Sequence, residues 1–92
     1  MPQILDLEAI TQEIELQAIK EGRALADYLA LHFTDGLRDI DFEQNRIAKY
    51  IFDRTATDVL ARFPRVIDED KPILQNRAVV AIKTAFKTRL AN

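Results

Sequence analysis

Cysteine and tryptophan are absent from this 92-residue chain, histidine occurs once, glycine twice and proline three times. Without cysteine there is no disulfide framework and no thiolate metal site, which suits a reducing compartment and a cytoplasmic location. One histidine with no cysteine excludes the usual zinc constellations. A carboxylate di-iron bundle needs paired Glu-x-x-His motifs, and the residue three before His32 is Leu29. The two glycines, Gly22 and Gly36, stand alone, so no glycine-rich loop is available to cradle a phosphate. Long apolar runs are missing too. Tyr28 to Thr34 is the longest uncharged stretch after Asp27, far short of the ~20 residues of a membrane-spanning helix. Met1-Pro2-Gln3-Ile4-Leu5-Asp6 lacks the basic start and apolar run of a secretory signal.

The carboxylates do not replace the missing chemistry. Asp35, Asp39, Asp41 and Glu43 form the densest group, but they do not follow the calcium-loop spacing, with its glycine at the sixth position and glutamate at the twelfth. Acids gathered ahead of a helix follow from its positive dipole end, and Asp68-Glu69-Asp70 reads the same way. His32 reads as a helix-terminal histidine, with no partner in place to make it a general base. No enzyme, cofactor, metal or small-molecule substrate is expected.

What is present is helical periodicity. Leu7, Ile10, Ile14, Ala18, Leu25, Leu29 and Phe33 recur at three, four or seven and predict a helix from Leu5 to Phe33. Thr34-Asp35-Gly36 is the stop signal, with one further turn allowed over Leu37-Arg38-Asp39-Ile40. Asp41-Phe42-Glu43-Gln44 has capping-box spacing and predicts a second helix from there to Phe63, ended by Pro64. Its stripe is Ala48, Phe52, Ala56, Val59 and Phe63. Pro72 fits the first turn of a third helix whose stripe is Val79, Ile82, Phe86 and Leu90, with Ala78, Ala81 and Ala85 beside it. The expected fold is all-α: one domain over residues 1–92, a small antiparallel bundle of three main helices, four if the first breaks at Gly22. A chain this size buries only about 60–65% of its unfolded surface, so the core is thin and a partner would help.

Two patterns point to partners. Ala18, Gly22, Ala26 and Ala30 make a ridge of small side chains that lets another helix come closer than the usual 8–10 Å, whether from this chain or from a second one. Continuous, the first helix would also overhang its neighbours by about 10 Å at its N-terminal end, baring Leu7, Ile10 and Ile14. Leu7, Ile10, Ile14, Ala18 and Gly22 are therefore the candidate partner-binding residues, and a two-fold homodimer is the simplest cover.

The second pattern is charge. The net charge of -2 divides into ten acids and three bases over residues 1–44, against five acids and ten bases over residues 45–92. From Lys71 onward there is no acid. Arg77, Lys83 and Lys87 are the candidate residues for an alternative role, an accessory nucleic-acid-binding subunit using the third helix without sequence readout. Three acids at the start of that helix and the lack of interleaved aromatics speak against nucleic acid. The favoured function is a non-enzymatic protein–protein interaction module: an adaptor, assembly factor or accessory subunit.

Overall fold

Apolar spacings of three and four have become three helices: α1 (Leu7–His32), α2 (Arg46–Leu60) and α3 (Lys71–Ala91). The computed structural model describes residues 7–32 and 40–91, Leu7 by its backbone alone. The Thr34-Asp35-Gly36 stop, the turn from Leu37 to Asp39, the acids Asp35 and Asp39, Phe33 and the Leu7 side chain lie outside the described residues. Among those described there is no strand.

The ion pairs give the helix directions. Glu15 meets Arg77 and Asp27 meets Arg89, both 62 positions apart, so α1 and α3 run parallel and in step. Glu43 binds Lys83 and Lys87 while Gln75 donates to Asp53 and Thr57, so numbers rise along α2 as they fall along α3. The chain runs up, down and up, with sequential neighbours antiparallel.

α1 and α3 share the most extensive interface, and Gly22 is its tightest point. A Cβ on Gly22 would lie 2.5 Å from the Ile82 carbonyl oxygen and 3.0 Å from the Ala85 methyl. The small-residue ridge is thus filled by a helix of the same chain, with Ala18 and Ala26 fully buried on either side and Ala30 exposed beyond it. α1 passes through Gly22 as one continuous helix, so the bundle has three helices rather than four. Ile14, Ile82 and Phe86 are fully buried along this seam, each contributing about 1.5–3 kcal/mol by burial.

α2 is shorter at both ends than its sequence predicts. Asp41 and Gln44 do not form a capping box. Asp41 Oδ1 accepts from the Glu43 amide at 3.0 Å, and its carbonyl accepts from Gln44 and Asn45, closing a turn. The cap is Asn45, extended at φ -82° and ψ 115°, whose Oδ1 accepts from the Ala48 amide at 2.9 Å. The turn is held outside the helix by Phe42, which is buried edge-on against Phe86 (5.0 Å between ring centroids) and beside Phe52 (6.1 Å). At the other end the amides of Arg62 and Phe63 bond to carbonyls three residues back, unwinding the chain ahead of Pro64.

The early end of α2 is compensated by the connection that follows. Val66 is buried and Phe63 half-buried, both in the cluster that holds Ile14 and Ile10. By the 62-residue offset Lys71 stands level with Ala9, so α1 leads α3 by two residues, about 3 Å. Over the described residues the lead of α1 on α3 is therefore short of the expected overhang of about 10 Å.

Candidate interaction surface

Of the five apolar residues assigned to a partner, Ile14, Ala18 and Gly22 lie buried in the chain's own core and Ile10 packs half-buried against it. Their stripe faces α3 and the connection after α2. None of these three offers a bare surface, because the monomer already uses them.

The basic residues assigned to nucleic acid are brought to α3 as expected, but each faces a carboxylate. Arg77 Nε lies 3.9 Å from Glu15 Oε2. Lys83 and Lys87, one helical turn apart, each place Nζ 2.9 Å from a separate oxygen of Glu43. Hydrogen bonds from Lys87 and then Lys83, reinforced by both charges, pull the Glu43 carboxyl down to about 2. The acidic first half and basic last half of the chain thus meet within one molecule. The sequence marks Glu43 only as one of the acids gathered ahead of a helix; its pairing is not legible there, since its two partners lie 40 and 44 residues away.

A different surface is left open. α2 covers only one side of the α1–α3 pair. On the other side the two helices form an open groove of about 810 Å³ to which α2 contributes no lining residue. Ile19 and Arg23 of α1 face Val80, Ala81 and Thr84 of α3 across it. Leu16 is 60% exposed on α1, and Val80 is 51% and Ile73 64% exposed on α3. Helix geometry explains the placement. Ile19 and Arg23 each follow a buried small residue, Ala18 and Gly22, by one position, which turns them about 100° away from the seam. Alanine and threonine on α3 keep the groove floor low. The rim is charged, with Glu15 and Arg77 toward one end and Arg89, paired to Asp27 at 2.8 Å, toward the other.

Among the described residues no group of three or more histidines, cysteines or carboxylates could hold a metal ion, and no helix is long and apolar enough to cross a membrane. Comparison with protein-family models, with curated proteins and with solved structures finds no match to this chain.

Proposed function

We propose that this protein is a non-enzymatic helical interaction module of the cytoplasm, an adaptor, assembly factor or accessory subunit that takes a partner helix into the α1–α3 groove. The observation that supports this reading is the open groove itself, with Ile19 and Val80 in its lining and Leu16 exposed on α1, offering apolar surface beyond the completed three-helix core. A helix docked there would meet anchors spaced three and four apart, as helix-in-groove recognition requires. The groove replaces the stripe as the partner-binding surface, because its described residues Ile10, Ile14, Ala18 and Gly22 pack within the chain.

The test compares tagged wild-type protein with the Leu16→Glu/Val80→Glu double variant, both recovered from the native cell with whatever they hold. The expected result is a protein, either another chain or an untagged copy, retained by wild type and lost by the variant. Identical recovered sets would overturn the groove as the interaction site. Salt-sensitive retention on a polyanion, abolished by Lys83→Glu/Lys87→Glu, would favour the basic face of α3 instead.

A further inference from the structure

We propose that the α1–α3 groove takes an acidic amphipathic helix of another protein, with two carboxylates seven residues apart and two adjacent apolar residues midway between them. The proposal rests on the groove reading above and adds the chemistry and spacing of the occupant. Charge carries it. Arg23, Arg77 and Arg89 line the groove against a single carboxylate, Glu15, in a chain whose net charge is -2. Arg89 is held by Asp27 through two nitrogens, at 2.8 and 3.4 Å. Arg77 turns its Nε toward Glu15 at 3.9 Å, and its Nη groups have no partner among the described residues. Arg23 is exposed and makes no ion pair among them. One guanidinium on each wall therefore keeps donors for a carboxylate from outside, the geometry in which arginine binds most strongly.

The spacing follows from the register. Arg77 is level with Glu15, so Arg23 lies eight residues further along the groove, about 12 Å. Side chains seven apart share one face of a helix at about 10.5 Å, within reach of both arginines. The residues three and four after the first carboxylate point to either side of that line. At their level stand Val80 on α3 and Ile19 on α1, where apolar side chains of the partner can pack. No helix of this chain offers such a face itself. Within α1, α2 and α3 only Glu8 and Glu15 are acids seven apart, and Thr11 and Gln12 lie between them. The occupant is therefore another protein and not a second copy.

The probe is a fluorescent synthetic peptide of about fourteen residues, stapled into a helix on its outer face, with Glu at the two flanking positions and Leu at the two central ones. Its anisotropy is titrated with the full chain at low salt. Replacing both Glu by Gln should weaken binding about tenfold, and replacing both by Lys should weaken it further. Arg23→Glu, with unchanged helical circular dichroism, should lose a similar factor for the Glu probe and prefer a probe in which one Glu is Lys. Equal binding of the Glu, Gln and Lys probes, or an Arg23→Glu variant with wild-type preference, overturns the acidic partner and leaves the apolar groove standing. So does a Glu probe that fails to bind while proteins recovered from the cell still depend on Leu16 and Val80. A dimeric wild type that Leu16→Glu/Val80→Glu makes monomeric puts a second copy in the groove and overturns the proposal. A Glu probe that fails to bind, with recovered proteins that ignore Leu16 and Val80, overturns both readings.

Discussion

Gly22 separates two effects that act on the same residue with opposite signs. In a solvent-facing helix position, glycine to alanine gains up to about 1 kcal/mol of helix propensity. Here the added methyl would meet the Ile82 carbonyl oxygen at 2.5 Å, and a backbone atom cannot rotate away as a side chain can. Propensity alone predicts that alanine is neutral or better; the contact reverses that expectation. Gly22→Ala is expected to destabilise by about 1–3 kcal/mol through overpacking, and Gly22→Leu by more. Urea denaturation measures both. Alanine at or above wild-type stability would mean the helices do not approach this closely in solution.

Glu43 makes a second prediction at this scale. Its folded-state carboxyl is lowered from 4.5 to about 2 by Lys87 and Lys83. A depressed folded value means the contribution is complete above the unfolded carboxylate value and is lost as pH falls from about 4.5 toward 2. Acid should therefore loosen the Asp41–Gln44 turn from α3, and Glu43→Gln should flatten the fall in thermal midpoint across that window. High salt should diminish the difference, because the site is open to solvent. A variant with the same acid slope as wild type would contradict the clamp.

At the scale of elements, α2 shows where local pattern and tertiary packing compete. Asp41 and Asn45 are both good N-cap residues, and each precedes apolar side chains at helical spacing. The capping-box pattern favours Asp41. Phe42 decides the outcome, since its burial between Phe52 and Phe86 holds the chain in a turn until Asn45. Asn45→Ala is accordingly expected to cost about 1 kcal/mol, and Asp41→Ala less. Equal losses, read from thermal melts, would return the helix start to Asp41.

Helix number and order were legible in the sequence, as were most of the buried positions on the helices, because they follow from period and from Pro64 and Pro72; Phe42, Val66 and Leu74 were not, since two of them lie in the connections and Leu74 lies outside the stripe read for α3. The interaction surface was not. Ile19 and Arg23 lie off the apolar stripe and read as a solvated face; only the placement of α2 on the other side turns that face into a groove. The charge segregation was visible, but its resolution within the chain depends on partners about 40 residues apart, as with Glu43 and Lys83.

Considered as a whole molecule, the bundle is unevenly stapled. α1 and α3 meet along most of their length, whereas α1 and α2 share the least extensive contact, and Arg62, just past the end of α2, donates to Gln17 and Glu21, both at 3.2 Å. Opening free energies should follow that order. Native-state hydrogen exchange is expected to be slowest for amides around Ala18–Ala26 and Ala78–Phe86, and faster by a smaller opening energy through α2. Uniform protection across all three helices would show that the bundle opens only as one unit.

The parallel, in-step arrangement of α1 and α3 also has a mechanical consequence. Leu7 and Ala91 lie at opposite ends of the bundle, about 22 residues of helical rise or 33 Å apart along its axis. Tension applied between them loads the α1–α3 seam in shear, so Gly22, Ile82 and their neighbours must slip together instead of peeling apart one turn at a time. Such a geometry resists a pull along its axis more than one across it. In an optical trap, handles at the two helix ends should record a higher rupture force than handles at Leu7 and Lys71, which stand side by side and would unzip the seam. A tether that rejoined the far ends would need about ten extended residues to span the distance.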